Sequence, residues 1–229
     1  MKYMGSKNRI AKHILPIILR DRKEGQWYIE PFCGGCNLID KVTGNRMASD
    51  SHFELIEMFR AFQQGWLPPS KVSEDDYQQI KRTVGVPHLK GYIGFSMSFG
   101  ARWFRGYARD HSGGKRCYST NAYNNAVKQI PFIKDIDFYH GSYDTFDNYP
   151  PNSIIYCDPP YRGTAKYREH LDYEHFYQWC RDMKALGHTI FVSEYNMPED
   201  FTCVWEKPVT VNLNNQTKAV KAIERLYTL

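Results

Sequence analysis

The chain has 229 residues, of which 42% are hydrophobic, and it carries a formal net charge of +5. This size suits one large α/β domain, or one core with a modest insertion. No apolar run is long enough to span a bilayer and no apolar signal-peptide core follows the N-terminus, so we expect an intracellular protein without a membrane segment. The six cysteines are scattered, which favours reduced thiols over a disulfide framework.

The first 65 residues predict alternating helices and strands. Apolar periodicity and turn residues place the boundaries. The predicted elements are, in chain order, a helix that Ser6 caps, a strand at 27–29, a helix at 38–42, a weak strand at 46–49 and a helix at 53–63.

A glycine-rich turn, EPFCGGC at residues 30–36, follows the first strand, and Asp50 ends the next strand. This order is typical of nucleoside-binding units, in which glycine lets the backbone approach the ligand and the acid holds ribose hydroxyls. The GxGxxG pattern of pyrophosphate ligands is missing. Cys33 and Cys36 form a CxxC, for which redox or zinc chemistry is the alternative. No second ligand pair completes a tetrahedral site, so we expect no metal.

Residues 66–129 are interpreted as an insertion between two halves of a sheet. A break at 65–69 precedes a helical stretch, and the polar, glycine-rich residues 113–125 predict an exposed loop. We therefore predict a catalytic domain made of residues 1–65 and 130–229, interrupted by an inserted recognition region.

Residues 88–128 concentrate the positive charge, with seven lysines and arginines against a single acid, Asp110. The aromatic residues of the same stretch are Tyr92, Phe95, Phe99, Trp103, Phe104, Tyr107, Tyr118 and Tyr123. Basic and aromatic side chains together suit a polyanion whose bases can be stacked. A solvated basic face above core aromatics is the alternative. The candidate nucleic-acid contacts are Arg102, Arg105, Arg109, Lys115 and Arg116.

The second half of the chain again alternates strands and a helix. The predicted elements are strands at 138–140 and 153–157, a helix at 173–186, a strand at 189–193 and antiparallel edge strands at 203–207 and 223–229. This alternation predicts an α/β fold with a Rossmann-like, mostly parallel, doubly wound sheet.

The tetrapeptide Asp158-Pro159-Pro160-Tyr161 stands at the mouth of the strand at 153–157. Proline has no N–H group, so the Pro159 carbonyl can accept from a ligand beside the Asp158 carboxylate. Tyr161 adds a flat face. Two acceptors and a ring suit a planar base with an exocyclic amino group. A stiff turn is the alternative interpretation.

Three elements together resemble the Dam-type (D12 class) DNA adenine-N6 methyltransferases. KYMGSK at 2–7 resembles the family's opening aromatic-x-Gly-x-Lys loop, residues 30–36 resemble its EPFxGxG turn, and residues 158–161 resemble its catalytic tetrapeptide. Their order is the family's order, and the similarity covers most of the chain outside the insertion. Cys36 and Tyr3 depart from the residues that are frequent in relatives.

The resemblance implies S-adenosylmethionine as the methyl donor. The residues that it assigns to the cofactor are Tyr3, Lys7, Phe32, Gly34, Asp50 and Asp158. Ser142 and Tyr143 follow the strand at 138–140 and are candidates for a wall around the cofactor's adenine, with an ordinary turn as the alternative. Residues 193–196 are candidates for a wall of the base pocket.

The same resemblance makes Asp158, Pro159 and Tyr161 the catalytic residues, which would hold the amino group of an extruded adenine and stack on its ring. Double-stranded DNA is the expected partner, in the cytoplasm of a bacterial or phage-infected cell, and no obligate protein partner is expected. Cytosine N4 and adenine in RNA offer similar amino chemistry and remain alternatives. A non-catalytic DNA-binding module on the same fold is a further alternative.

Overall fold

The structure, a computed structural model, describes residues 1–109, 117–145, 149–162, 171–211 and 220–229. Its strands are β1 (Tyr28–Glu30), β2 (Arg46–Asp50), β3 (Ile136–His140), β4 (Ile154–Cys157), β5 (Thr189–Glu194), β6 (Thr202–Val211) and β7 (Val220–Thr228). Its α-helices are α1 (Ala11–Ile18), α2 (Phe53–Gln63), α3 (Glu74–Arg82), α4 (Pro87–Ser96), α5 (Tyr118–Ile133) and α6 (Tyr173–Ala185).

These strands form one sheet in the order β3-β2-β1-β4-β5-β7-β6. All pairings among strands β1 to β5 are parallel. Strand β7 pairs antiparallel with both β5 and β6. The predicted Rossmann-like, mostly parallel α/β sheet with an antiparallel edge is therefore confirmed. The strand order reverses between β1 and β4, and ligands of such sheets bind beyond the carboxyl ends of the strands at that point.

Helices cover both faces of the sheet. One core layer packs Ile14 of α1 and Phe59 of α2 with Tyr156 of β4. The opposite layer packs Phe176 of α6 with Ile155 of β4. Successive residues of a strand point to opposite faces, so the apolar run of β4 supplies both layers.

The predicted helix at 38–42 is only a 3₁₀ turn, Ile39–Lys41. Cys36 before it and Gly44 after it adopt positive φ angles of 52° and 78°. The stretch between these two left-handed residues is too short to nucleate an α-helix.

Helix α5 begins at Tyr118, so part of the predicted loop at 113–125 is helical, and residues 113–116 lie outside the described residues. The asparagines at 124–125 are exposed on α5, whereas Ala126 is buried in the core. Burial of one helix face thus outweighs the weak helix propensity of asparagine.

The same helix runs on to Ile133, so the predicted domain boundary at residue 129 falls inside α5. Gln129 donates hydrogen bonds to the carbonyls of Gly35 and Cys36, each at 3.0 Å. The end of α5 is therefore attached to the glycine turn.

Within the described ranges, no helix combines the length and apolar character that crossing a bilayer requires. The same residues contain no cluster of three histidine, cysteine or acidic side chains arranged for a metal ion. All six cysteines are free thiols, and four of them are buried.

Candidate active site

The carboxyl ends of β1, β2 and β4 open into a cleft of about 2400 Å³. All the residues predicted to bind the cofactor line it, namely Tyr3, Lys7, Phe32, Gly34, Asp50, Ser142, Tyr143 and Asp158. Pro159 and Tyr161 line the same cleft. The structure thus brings together the catalytic and cofactor candidates, which lie up to 158 positions apart along the chain.

Tyr3 lies directly over the glycine turn. A Cβ atom on Gly34 would stand 2.7 Å from Tyr3 Cε1, and one on Gly35 would stand 2.6 Å from Tyr3 Cβ. Gly34 also has a φ of +46°, which disfavours a side chain. The close packing of Tyr3 is thus one reason for glycine at these positions, and the approach of a ligand to them stays a prediction.

Asp50, the last residue of β2, fixes the glycine turn. Its Oδ2 accepts from the Gly34 N–H and its Oδ1 accepts from the His52 N–H, both at 3.0 Å. Its predicted contact with ribose stays a prediction.

Lys7 reaches the candidate catalytic acid. Its Nζ lies 2.6 Å from Asp158 Oδ1 and donates to the Gly5 carbonyl at 3.1 Å, and the lysine side chain is only 9% exposed. Burial raises the pKa of Asp158 to about 6, although the Lys7 ammonium opposes this rise. In the structure, the lysine predicted as a cofactor contact is therefore an ion-pair partner of Asp158.

The ring of Tyr161 is held from several directions. Its hydroxyl donates to Glu224 Oε1, and Lys7 Nζ lies 4.7 Å from the ring centroid. Tyr195 packs edge-on against it, with centroids 4.7 Å apart and an interplanar angle of 81°. A cation over the ring and an edge-to-face neighbour are both favourable arrangements, so the orientation of Tyr161 is set by the protein.

Glu194, at the end of β5, supports the chain that follows the tetrapeptide. Its carboxylate accepts from the N–H groups of Arg162 at 3.1 Å and Tyr195 at 2.7 Å, and burial raises its pKa to about 7. The Tyr173 hydroxyl donates to the Pro160 carbonyl at 2.8 Å. Side chains from β5 and α6 thus hold the segment that carries Asp158 and Pro159.

Phe32 and Tyr143 form a stacked pair in the same cleft, with ring centroids 5.2 Å apart and an interplanar angle of 25°. The Tyr143 hydroxyl lies 3.0 Å from His175 Nδ1, and Ser142 lines the cleft beside it. Phe32 is half-buried and suits a purine ring, whereas Tyr143 is buried beneath the stack, and the predicted adenine wall stays a prediction.

The candidate DNA-binding residues occupy different surroundings. Arg102 lines the cleft, and its Nε lies 3.0 Å from Met4 Sδ of the N-terminal loop. Arg105 is exposed. Arg102 therefore links the inserted region to the cleft, whereas Arg105 faces solvent.

Arg109 makes a two-point ion pair with Glu74 at the start of α3. Its charge is thus partly balanced within the protein. Lys115 and Arg116 lie outside the described residues. A DNA contact at any of the five residues remains a prediction.

Several aromatic residues of the 88–128 stretch belong to the core. Tyr92, Phe95 and Phe104 are buried, whereas Phe99 is 64% exposed. Rings that pack inside the protein cannot stack on bases, so the prediction of a stacking surface is wrong for the three buried ones. For them the alternative interpretation, core aromatics beneath a basic face, is correct.

Glu224 is a charged residue of the cleft that the motifs missed. It lies on β7 between Ala222 and Leu226, and Leu226 is fully buried. Side chains two apart on a strand share a face, so Glu224 points to the same side as a core leucine. A charged residue on the buried side of a strand is the signal that could have identified it.

Comparison of the sequence with known proteins identifies a family. The model of the D12 class N6 adenine-specific DNA methyltransferases matches residues 3–92 and 111–196. The modification methylase StsI of Streptococcus sanguinis is 25% identical over 193 residues, which cover 72% of this chain and 29% of that protein. The chain thus spans less than a third of the length of this curated relative.

Among solved structures, SMU.472 in complex with SAH aligns with 98% of this chain and 52% of its own, at 11% identity and a TM-score of 0.39. A similarity this low does not define a common fold. The family match covers most of the sequence and includes all three motifs of the cleft. The chain belongs to the D12 class N6 adenine-specific DNA methyltransferase family.

The cofactor of this family is S-adenosylmethionine, and the residues of the cleft fit it. A purine needs a flat face, which the half-buried ring of Phe32 would offer, while Tyr143 is buried and supports that ring by stacking on it. A ribose diol needs an acceptor, which the carboxylate of Asp50 at the end of β2 would supply. A sulfonium cation is favoured near a carboxylate, and the half-buried Asp158 would provide one.

Proposed function

We propose that this chain transfers the methyl group of S-adenosylmethionine to the N6 amino group of adenine in duplex DNA. The observation that carries the proposal is the convergence of Asp158, Pro159 and Tyr161 with the glycine turn and Asp50 in one cleft. S-adenosylmethionine supplies an electrophilic methyl group on a sulfonium centre. The protein supplies the geometry that makes the amine nucleophilic and aims it.

The amino group of adenine is a weak nucleophile because its lone pair is delocalised into the ring. The Asp158 carboxylate and the Pro159 carbonyl accept hydrogen bonds from its two N–H groups, which localises the lone pair and stabilises the positive charge that develops on nitrogen. The methylated amine is acidic in this cationic form and then loses one proton to water. Both acceptors stand on the rigid segment that Glu194 and Tyr173 hold. Alignment on a fixed segment lowers the entropic cost of reaction.

Lys7 keeps Asp158 in the form that accepts hydrogen bonds. Its ammonium favours the carboxylate against the effect of burial, so the pKa of Asp158 stays near 6 and the group is ionised at neutral pH. Tyr161 offers a ring for the adenine that leaves the duplex, and Tyr195 borders the same pocket. Stacking offsets part of the cost of extruding the base.

Tyr3, Phe32, Gly34, Asp50, Ser142, Tyr143 and Lys7 form the cofactor side of the cleft in this proposal. Residues 66–129 dock the duplex through Arg102, which lines the cleft, through the exposed Arg105, and through Arg109, Lys115 and Arg116 later in the chain. Residues 1–65 and 130–229 are the catalytic domain. The enzyme acts in the cytoplasm of a bacterial or phage-infected cell, where such DNA is found.

The test is transfer of tritiated methyl from S-adenosylmethionine to unmethylated duplex DNA, followed by digestion and mass spectrometry of the nucleosides. We expect N6-methyldeoxyadenosine as the product. N4-methyldeoxycytidine, or transfer to RNA alone, would overturn the assignment of the substrate. DNA binding without any transfer would favour a non-catalytic module.

A further inference from the structure

We propose that Glu224 is a positioning residue for methyl transfer: it orients the ring of Tyr161 and shares the Lys7 ammonium with Asp158. This inference rests on the proposed function and assigns a role to a residue that lies beyond residue 196, where the family match ends. No motif of the tetrapeptide or of the glycine turn includes it.

The contacts of Glu224 define this role. Its Oε1 accepts a hydrogen bond from the Tyr161 hydroxyl and lies 3.5 Å from Lys7 Nζ. The same Nζ lies 2.6 Å from Asp158 Oδ1. One ammonium therefore bridges the carboxylate that faces the base and the carboxylate that holds the ring.

Burying the charged side chains of Glu224 and Lys7 costs free energy, so their presence here calls for a functional reason. The side chain of Glu224 is 12% exposed and that of Lys7 is 9% exposed. Removing charges from water is expensive, and a buried ion pair is often no more stable than apolar residues of the same volume. A second carboxylate beside Asp158 also repels it and raises the pKa of Asp158. Stability alone does not account for a glutamate here, whereas orientation of Tyr161 does.

Antiparallel pairing fixes the place of Glu224. β7 is hydrogen-bonded to β5 on one side and to β6 on the other, with Arg225 opposite Glu194 and Glu224 opposite Lys207. A central strand cannot shift its register without moving every side chain to the other face. The Tyr161 hydroxyl is therefore anchored to the sheet itself, although Tyr161 stands on a loop.

A ring anchored at its hydroxyl has one remaining freedom, rotation about the axis through the ring, and Lys7 and Tyr195 restrict it. Without Glu224, the ring loses the hydrogen bond that ties its hydroxyl to the sheet, and the base that stacks on it is aligned less well with the methyl donor. We expect the loss to appear in kcat more than in cofactor binding, because Glu224 holds the base side of the cleft.

Glu224 also affects the titration of Asp158. The charged and titratable groups that face or influence Asp158 from the surrounding elements include Lys7, Glu30, Tyr156, Cys157, Tyr161, Glu194 and Glu224. Of the acids in this set, Glu224 lies 3.5 Å from the same Lys7 Nζ that pairs with Asp158. Neutralising Glu224 removes a negative charge that repels the Asp158 carboxylate, and is expected to lower the pKa of Asp158.

The experiment compares Glu224→Ala, Glu224→Gln and the matched control Glu206→Gln. Glu206 lies on the adjoining strand β6 and pairs with Arg225 outside the cleft. Glu224→Ala is expected to lower kcat about 10- to 100-fold, as for loss of a charge-assisted hydrogen bond, with little change in the Kd for S-adenosylmethionine by calorimetry. Glu224→Gln retains an acceptor for the Tyr161 hydroxyl and is expected to recover most of kcat.

A second measurement does not depend on turnover. ¹³C NMR titration of the Asp158 carboxyl group is expected to show a lower pKa in both Glu224 variants and no change in Glu206→Gln. A variant that was merely misfolded would not produce this selective shift. The acid limb of the pH–rate profile should move in the same direction.

The role of Glu224 is wrong if Glu224→Ala keeps wild-type kcat, if Glu224→Gln is as impaired as Glu224→Ala, or if the Asp158 titration does not move. Failure of the wild-type protein to transfer methyl groups is a separate result, which would refute the proposed function. In that case the titration of Asp158 still tests the contact between Glu224, Lys7 and the acid.

Discussion

Sequence patterns predicted the positions of side chains better in the catalytic cleft than in the inserted region. In the cleft, the acid, prolines and ring predicted from short motifs converge with the glycine turn and Asp50. In the inserted region, aromatic residues predicted to contact bases are instead core residues, such as Tyr92 and Phe104. The difference lies in what positions the side chains.

Cleft residues stand at the ends of parallel strands, and all such ends meet at one edge of the sheet. Their convergence follows from the order of elements alone. Residues on helices such as α4 point inward or outward according to how the helix packs. Gly91 illustrates this dependence, because a Cβ on it would meet the backbone carbonyl of Glu54 at 2.1 Å. Nothing local in the sequence reveals that close contact between α4 and α2.

The largest expected effect tests the cleft. Asp158→Ala removes an acceptor for the amino group and is expected to lower kcat about 10²- to 10³-fold, as when one preorganised electrostatic partner is removed. The fold should persist, since Asp158 stands on a loop end. Steady-state kinetics and circular dichroism measure the two quantities, with the exposed β3 acid changed in Asp137→Ala as control. Near-normal turnover of Asp158→Ala would refute its role.

The packing of Tyr3 on the glycine turn gives the next effect. Gly34 and Gly65 both have positive φ, but only Gly34 has the Tyr3 ring within reach of an added Cβ. We expect Gly65→Ala to cost about 1 to 2 kcal/mol from the backbone alone. Gly34→Ala should cost about 1 to 3 kcal/mol more, because it also overpacks the turn.

Denaturant unfolding measures this difference, and calorimetry with S-adenosylmethionine measures the accompanying loss of affinity in Gly34→Ala. Equal destabilisation of the two variants would mean that Tyr3 moves aside at no cost. The turn would then be less rigid than its contacts indicate.

Asp158 is expected to make activity and stability respond to pH in opposite directions. Activity should fall about tenfold per pH unit below the pKa of about 6, since the carboxylate becomes protonated. The folded state holds this proton more tightly than the unfolded chain, whose ordinary value is 3.8. The contribution of Asp158 to the free energy of unfolding is therefore greatest below about pH 4 and is lost as the pH rises through 6.

Rate profiles and denaturation between pH 4 and 8 measure both trends. Glu194, with a pKa of about 7, changes stability in the same direction. Comparison with Asp158→Asn isolates the contribution of Asp158. If the variant shows the same decline in stability as the wild type, burial does not perturb Asp158 as proposed.

The smallest effect tests the inserted region. Neutralising Arg102 and Arg105 together is expected to reduce the slope of log affinity against log salt by about 0.9 for each phosphate that the protein no longer neutralises. Arg109→Ala should change the slope less, because Glu74 already balances its charge. Salt titrations of DNA binding measure the slopes. An unchanged slope in the double variant of Arg102 and Arg105 would mean that DNA docks on another surface.

Much of the fold could be predicted because local signals agree with the global arrangement. The apolar run of β4 and the tetrapeptide after it predict a buried strand with a polar mouth, and this is what forms. The 3₁₀ turn Ile39–Lys41 and the first part of α5 were harder to predict. Their conformation depends on left-handed residues and on burial against distant elements.

The sequence by itself determined the family, the order of strands and helices, and the edge of the sheet at which the cleft opens. These properties depend on periodicity and on residues close together in the chain. Only the tertiary structure decided that Tyr3 covers the glycines, that Lys7 pairs with Asp158, and that Glu224 anchors Tyr161. Each of these contacts joins residues far apart in sequence, and such contacts are specified by how the strands and loops pack in three dimensions.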